Sequence, residues 1–342
     1  MAIAVPDSLE AKERAWLIWL AAFRAWIFLA ILLVFFEIWA RAAYDTSFVL
    51  NVFNWRAIGM AAVAPLLLGL GQTLVIISGG IDLSVGFTMG FAAVVMAMTM
   101  KLLAGTMPEP PLLLLGITVA MALVAVPGWI NGALIARLGV PPFIGTLGMY
   151  GVARGVGYLV ADGTTVPVRN SWLAWLGNGQ VLGVPIPVLI AILLVLAFHW
   201  LLSQSRFGQY TYAIGGNRQA SLRAGINVRG HLFRLYILSA LSAGAAGVLY
   251  TARFSAGAPQ AGEPLLLDSI AAVVIGGASL FGGSGTIIGT VVGALIIAVI
   301  QFGLVFMNVE PFWQFVAVGV VIIISVLVDQ AQKRVGGGRQ DE

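Results

Sequence analysis

Long apolar stretches restrict this chain to one broad class of fold. Ten stretches have about the 17 to 25 residues that an α-helix needs to cross roughly 30 Å of hydrocarbon. They cover approximately 23–43, 57–78, 81–103, 112–135, 142–161, 186–202, 233–250, 265–281, 286–307 and 312–329. Because 60% of the residues are hydrophobic and only 9% are charged, a soluble protein of this length would lack the polar side chains to cover its surface. The sequence therefore predicts an all-α, polytopic membrane protein with about ten transmembrane helices.

The distribution of basic residues predicts the orientation in the membrane. An even number of spans places both termini on the same side. The loops on that side carry Lys12, Arg14, Arg137, Arg206, Arg218, Arg223, Arg229, Lys333, Arg334 and Arg339, whereas the opposite loops carry Arg41, Arg56, Lys101, Arg169 and Arg253. Since short cytoplasmic loops are enriched in lysine and arginine, this two-to-one excess predicts cytoplasmic N- and C-termini.

The chain is predicted to form a single membrane domain at residues 23–330. Residues 1–22 form a cytoplasmic N-terminal segment without a small-residue cleavage site, and residues 331–342 form a cytoplasmic tail. The polar loop 203–232 interrupts the membrane domain. The seventh and eighth spans are short and are separated by "TARFSAGAPQAGEP" (251–264), so one of them is predicted to be a half-membrane element.

Several kinds of chemistry are not expected. The chain has no cysteine and two histidines, which makes a transition-metal site improbable. A phosphate-binding loop of the Walker type needs a Gly-Lys pair, but none of the three lysines follows a glycine. The net charge of +4 arises from the loops on one side, so it does not indicate nucleic acid. The sequence predicts no metal, no cofactor and no catalysis by this chain alone.

Ionisable groups within apolar spans are costly and therefore informative. Glu37 and Arg41 are four residues apart, as expected for a helical ion pair. Asp82, in "GGIDLSVG", has two equally weighted explanations: it caps the next helix at a simple turn, or it lies deeper in a broken helix that faces a water-filled path. Arg154 and Asp268 form either a structural interhelical pair or part of the polar lining of a translocation route.

Three uncharged polar residues also lie within apolar spans. Gln72, Ser84 and Asn131 carry amide or hydroxyl groups that can bind the hydroxyls of a sugar, but such groups also join helices to one another. Together with Asp82, Arg154 and Asp268 they are the candidate residues of a substrate path.

Glycines recur every three or four residues in two spans, and this spacing lets helices approach closely. Gly285, Gly289 and Gly293 form one such stripe, and Gly151 and Gly155 repeat the spacing beside Gly148. The expected role is helix contact within one subunit, and the alternative is a seam between two subunits.

The longest polar passage is "RFGQYTYAIGGNRQASLRAGINVRGH" (206–231). Gly215 and Gly216 break the chain, Asn217 can cap a helix, and about two helical turns end at Gly225. These turns contain Arg218, Gln219, Ala220, Ser221 and Leu222. A helix this short is marginal in water, so either another protein holds it in a groove, or the passage is an ordinary basic loop.

The order of residues in this passage favours the groove. "QASLRAG" (219–225) resembles the coupling segment of ATP-binding-cassette importer permeases, with Gln219 in place of an acidic residue and Ser221 in place of an alanine. Three further blocks, "GQTLVIISGGIDLSVG" (71–86), "GWINGALIARLGVPPFIGTLG" (128–148) and "DSIAAVVIGGASLFGGSGTIIGTVVGALI" (268–296), extend the likeness to the ribose/xylose-type monosaccharide importer permeases over about residues 45–330.

This resemblance implies a permease in the bacterial inner membrane that imports a pentose or hexose by alternating access. The implied partners are a cytoplasmic ATPase subunit bound at 215–225, a periplasmic sugar-binding protein, a second permease subunit (identical or a sister chain) and the lipid bilayer. Two other classes are weighed against it. A self-sufficient secondary transporter or channel would require ion-coupling carboxylates within the chain, and a membrane scaffold would need no polar groups at depth.

Overall fold

The computed structural model describes residues 8–310 and 312–337, with side chains at 23–310, 312–324 and 327. The helices are α1 (Ser8–Tyr44), α2 (Val52–Ile77), α3 (Val85–Leu102), α4 (Glu109–Gly132), α5 (Pro142–Val160), α6 (Ser171–Asn178), α7 (Ile186–Ser203), α8 (Arg206–Gly216), α9 (Arg218–Arg223), α10 (Val228–Phe254), α11 (Glu263–Ile275), α12 (Ile287–Phe306) and α13 (Phe312–Gly337). A short π-helix, Ala133–Arg137, continues α4. Two antiparallel pairs complete this part of the chain: β1 (Val166–Pro167) with β4 (Ala256–Gly257), and β2 (Gln180–Val181) with β3 (Val184–Pro185).

Each of the ten predicted spans coincides with one helix, so the all-α membrane architecture is confirmed. Seven helices within the described residues are long and apolar enough to cross a membrane. The other three are α5, the 13-residue α11, and α13, whose apolar part is the shorter Phe312–Ile324. The first helix begins at Ser8, within the predicted segment 1–22, and the last helix ends at Gly337, within the predicted tail 331–342. The outer parts of these two segments, residues 1–7 and 338–342, lie outside the described residues.

The seventh and eighth predicted spans form helices of very different length. The seventh, predicted at 233–250, is part of the 27-residue α10, because the polar residues before it continue the same helix. The eighth, α11, has 13 residues and is about 20 Å long at 1.5 Å per residue. The half-membrane element predicted from the sequence is therefore α11.

Helix α2 lies at the centre of the bundle. Every residue from Pro65 to Ser78 is buried, which explains why this span is apolar on all sides rather than on one face. Glycines allow its neighbours to approach: a Cβ at Gly71 would be 2.7 Å from the Cα of Ser239 in α10, and one at Gly69 would be 2.9 Å from Thr290 Cγ2 in α12. In contrast, α1 and α7 expose apolar side chains such as Ile38 and Leu193, as expected of helices that face lipid.

The glycine stripes have two different environments. In α12, Gly289 and Gly293 lie against the carbonyl oxygens of Gly276 and Ala272, where a Cβ would overlap them. This confirms helix contact within the subunit. Gly285 does not belong to that helix stripe, because it precedes α12 in the connecting loop, where its φ of +146° favours glycine. In α5, a Cβ added at Gly148, Gly151 or Gly155 would have no atom of another described element within 4 Å. These glycines therefore do not serve a close helix contact within this part of the chain.

The predicted pair of Glu37 and Arg41 is confirmed, with Arg41 Nε 2.6 Å from Glu37 Oε1. Glu37 also binds the loop that follows its own helix. Its other carboxylate oxygen accepts hydrogen bonds from the backbone N–H groups of Phe48 (2.9 Å) and Val49 (2.8 Å). The pair therefore also fixes the loop between α1 and α2.

The two ends of the bundle carry different structures. At one end, here called the α9 end, α8 and α9 lie beside the last residue of α2 and the loop 276–286, which connects α11 to α12. At the opposite hairpin end, the last turn of α10 contacts α6, and β4 pairs with β1. Most of the polar passage therefore lies at a single end of the molecule.

Candidate solute path and coupling surface

Two irregular segments interrupt the helices inside the bundle. Residues 78–84 connect α2 to α3, and residues 255–262 connect α10 to α11. The two segments meet along α3: a Cβ at Gly86 would be 2.6 Å from the carbonyl oxygen of Gly262, and one at Gly90 would overlap the carbonyl oxygen of Pro259. Only glycine permits backbone to approach backbone this closely.

Asp82 lies in the first of these segments, so the broken helix of the second prediction is present. The side chain is enclosed rather than facing a water-filled path, and the residue at the N-cap of α3 is Ser84. Its Oδ1 accepts the backbone N–H of Ser84 at 3.0 Å and the Ser84 hydroxyl at 2.6 Å, as in a turn that leads into a helix. Its Oδ2 accepts the Ser239 hydroxyl of α10 at 2.8 Å, and the side chain is buried. Ser239 is eleven residues beyond Val228, about 16 Å along the helix. The turn that Asp82 organises is therefore inside the bundle.

Two of the other candidate path residues extend this network to two further helices. Gln72 of α2 donates to the backbone carbonyl of Asp82 at 2.5 Å, and Asn131 of α4 donates to Ser84 Oγ at 2.9 Å. The structure thus brings Gln72, Asp82, Ser84 and Asn131 together, each at most 2% exposed. In this conformation none of the four can contact a solute.

Within the described residues, one amide oxygen of this network has no hydrogen-bond partner. Asn131 Oδ1 is buried without such a bond, and so is the hydroxyl of Thr88, one turn beyond Ser84 on α3. Buried polar atoms left without partners are costly. The network therefore has spare hydrogen-bonding capacity.

The predicted interhelical pair of Arg154 and Asp268 is not formed within the described residues. Asp268 of α11 faces α12, where Gln301 Nε2 donates to its Oδ2 at 2.9 Å. Arg154 projects from the exposed side of α5, with its guanidinium carbon 5.3 Å from the centre of the Phe87 ring. Helices α5 and α11 both contact α3, but Arg154 lies over Phe87 of α3 while Asp268 is turned towards α12.

The structure places two further polar side chains beside Arg154. Tyr150, one turn earlier on α5, makes an edge contact with Phe87 at 4.6 Å between ring centres. Its hydroxyl is 3.5 Å from Oε1 of Glu263, the exposed first residue of α11. Sequence reasoning missed both residues. The available signal was the position of Glu263 directly after the Gly/Pro-rich break that precedes the half-membrane helix.

The predicted coupling segment has the expected local structure. Asn217 caps α9, with Oδ1 accepting the backbone N–H of Ala220 at 2.9 Å, and the helix is followed by Gly225 with φ +79°. Ser221 is buried beneath the helix, whereas Leu222 is 47% exposed. The outward face consists of Arg218, Gln219, Ala220, Leu222 and Arg223. This short helix offers a largely polar face with one large apolar side chain, Leu222.

Helix α8 connects this surface to the membrane helices. Gly215 lies so close to the carbonyl oxygen of Ile77, at the end of α2, that a Cβ would overlap it. The same carbonyl accepts the N–H of Gly283 at 2.8 Å. Tyr212 donates its hydroxyl to the carbonyl of Gly285 at 2.7 Å, and burial raises the pKa of Tyr212, so that the donor stays protonated. Sequence reasoning found Gly215 but missed Tyr212 and its acceptor.

Comparisons with known proteins agree with this arrangement. Residues 56–326 match the family described as the permease component of the branched-chain amino acid transport system. The ribose import permease of Escherichia coli K12 is 39% identical over 271 residues, 78% of this chain and 82% of that protein. The D-allose transport permease of the same strain is 35% identical over 83% of this chain and 85% of its own length. The fructose import permease of Rhizobium meliloti is 36% identical over 79% of this chain and 75% of its own length.

No solved structure matches the chain significantly. The family match covers the helices from α2 to α13, including both irregular segments and the α8–α9 unit. The chain therefore belongs to this family of permease components, and it is a multi-pass protein of the bacterial inner membrane.

Proposed function

We propose that this chain is the membrane subunit of an ATP-binding-cassette importer that moves a monosaccharide from periplasm to cytoplasm. A second permease subunit, identical or a sister chain, completes the path. A cytoplasmic ATPase subunit supplies the energy, and a periplasmic binding protein delivers the sugar. The observation that carries the proposal is the short α9 helix, which is exposed on its outer face and connected through α8 to the end of the central helix α2.

The similar proteins support a small neutral sugar as the solute. Their names specify ribose, D-allose and fructose, a pentose and two hexoses that share a polyhydroxylated, uncharged surface. The family description instead specifies branched-chain amino acids. A branched-chain amino acid is therefore the second candidate solute, and an uptake assay distinguishes the two.

In the proposed mechanism the α9 end faces the cytoplasm. The ATPase subunit holds α9 in a groove, and closure of the ATPase moves α8 and α9 together. Because Gly215 touches Ile77 and Tyr212 is bonded to Gly285, that movement is transmitted to α2 and to the loop between α11 and α12. Rigid-body movement of these helices would open the path alternately to each side.

The six predicted path residues have different roles in this proposal. Gln72, Asp82, Ser84 and Asn131 brace the irregular segment 78–84 beside the path, and would contact the solute only if α3 and α10 separated. Asp268 braces α11 against α12 through Gln301. Arg154 is the exposed member of the set, and so it is the one available to a solute in this conformation.

Affinity purification in mild detergent, followed by reconstitution, tests the proposed function. We expect an ATPase subunit to co-purify in roughly equal amount, and the liposomes to accumulate labelled D-ribose, D-allose or D-fructose only with ATP and the binding protein. Accumulation of L-leucine instead would assign the solute to the second candidate class. Sugar transport by the chain alone, without ATP, would show a secondary carrier and overturn the proposal.

Leu222→Glu tests the coupling surface. Because Leu222 is the exposed apolar residue of α9, burial of a carboxylate in its place should weaken ATPase binding by at least tenfold and lower sugar uptake accordingly. The measurements are the amount of co-purified ATPase and the initial rate of uptake.

Leu182→Glu is the matched control, since Leu182 is fully exposed at the hairpin end. It should leave ATPase binding and membrane insertion unchanged. Wild-type uptake by Leu222→Glu would place the coupling contact elsewhere.

A further inference from the structure

A polar cluster lies on the exposed side of α5 at mid-depth in the bundle. Arg154 and Glu263 are exposed and Tyr150 is partly exposed, while Phe87, beneath Arg154 and Tyr150, is fully buried. The four residues come from α3, α5 and α11, so the cluster depends on the tertiary structure rather than on one helix.

The helix lengths establish the depth. Phe87 lies fifteen residues before the last residue of α3, about 22 Å along the helix from the hairpin end. Arg154 lies twelve residues after Pro142, the first residue of α5, about 18 Å along that helix. The guanidinium over the Phe87 ring is therefore well inside the apolar part of the bundle.

A charged side chain at this depth is unfavourable against lipid. Three glycines on the same helix, Gly148, Gly151 and Gly155, leave its backbone uncovered. A Cβ added at any of them would have no atom of another described element within 4 Å. This face of α5 presents a guanidinium, a carboxylate, a phenol hydroxyl and uncovered helix backbone. Such groups form hydrogen bonds with water or with solute hydroxyls, which hydrocarbon cannot provide.

We propose that Arg154, Tyr150 and Glu263 form the sugar-contacting site of the translocation path, held in place by the Phe87 ring. This inference rests on the proposed function and adds the residues that recognise the solute. Glu263 accepts hydrogen bonds from sugar hydroxyls, Arg154 donates to ring and hydroxyl oxygens, and Tyr150 does either. The two opposite charges leave the cluster without a net charge, which is compatible with a neutral polyhydroxylated solute, and the uptake assay above distinguishes it from a zwitterionic amino acid.

Thiol labelling tests whether the exposed side of α5 is in contact with water. Because the native chain has no cysteine, single variants Arg154→Cys, Tyr150→Cys and Glu263→Cys can be made without altering other positions. In reconstituted complexes we expect a charged, membrane-impermeant methanethiosulfonate reagent to label them at least tenfold faster than Leu193→Cys, which replaces an exposed apolar residue of α7. D-Ribose, or whichever of the three sugars is transported, should slow the labelling.

Each result of this labelling is decisive. Labelling no faster than at Leu193→Cys would show that this side of α5 is covered by lipid or by a water-free interface between subunits. That result would overturn the proposal. Fast labelling that sugar does not slow would show water without solute contact, and would also overturn it. Since the first comparison requires no sugar, its failure is distinguishable from failure of the proposed function.

Uptake kinetics provide an independent test. Glu263→Gln and Arg154→Ala should lower uptake at subsaturating sugar by about tenfold or more, because each removes a charged hydrogen-bonding partner. Arg154→Lys should restore part of the loss. Glu310→Gln, an exposed glutamate at the hairpin end, is the matched control. Wild-type uptake and sugar preference in both Glu263→Gln and Arg154→Ala would overturn the assignment.

Discussion

Gly215→Ala is expected to abolish sugar uptake while leaving the protein inserted in the membrane. The added methyl group would overlap the carbonyl oxygen of Ile77 and lie 2.6 Å from the backbone nitrogen of Gly283. Backbone atoms cannot move aside as a flexible side chain can, so α8 must shift away from the end of α2. This would break the contact through which movement of α9 reaches the membrane helices.

The neighbouring glycine offers a closely matched control. Gly216 has no described atom within 4 Å of its Cβ position and no positive φ, so Gly216→Ala should keep at least half of the wild-type uptake. The measurements are ATP-driven sugar uptake and the ATPase rate in liposomes. Equal loss of uptake in both variants would mean that the alanine affects the polar passage in general, and that the Gly215–Ile77 contact has no special role.

The second large effect is expected for Asp82→Ala. Its carboxylate accepts one backbone N–H and two hydroxyls, all buried. Since an unsatisfied buried donor costs about 1–3 kcal/mol, and the two hydroxyls can partly reorient, we expect a loss of about 3 kcal/mol in stability. The midpoint of thermal unfolding in detergent should fall by about 4 °C, as followed by size-exclusion chromatography after heating.

Asp82→Asn separates this bracing role from proton or ion coupling. The amide oxygen can still accept from Ser84, and the Ser239 hydroxyl can turn to accept from the new NH₂ group, so stability and ATP-driven uptake should remain near wild type. A secondary carrier that used this carboxylate would instead lose transport in Asp82→Asn. Wild-type stability of Asp82→Ala would contradict the bracing role itself.

Most of the architecture could be predicted from the sequence, because the membrane imposes simple requirements. A span must be long enough to cross the hydrocarbon, and all its backbone polar groups must be satisfied by the helix. Those requirements located the ten predicted spans and narrowed the short element to the seventh or the eighth span, and the structure then identified it as α11. The cap at Asn217 and the turn at Gly225 were equally predictable, since both depend on residues adjacent in the chain.

The environment of the polar residues could not be predicted in the same way. Asp82 is joined to Ser239 across 157 positions, and Asp268 to Gln301 across 33, distances over which helical periodicity carries no information. For that reason the sequence left open whether Arg154 pairs with Asp268, and within the described residues it does not. Likewise, Gly293 and Gly151 occur in similar patterns, yet one lies against a neighbouring helix and the other is open.

By itself, the sequence determined that the chain is a helical membrane protein with a short capped helix in a polar loop, because hydropathy, charge and capping act over a few residues. Only the tertiary structure decided that Asp82 is enclosed, that Arg154 faces outward beside Tyr150 and Glu263, and that Gly215 touches the end of α2. These contacts depend on how helices that are distant in sequence cross, and in an apolar bundle the crossing is set by glycines and polar groups whose partners lie on other helices.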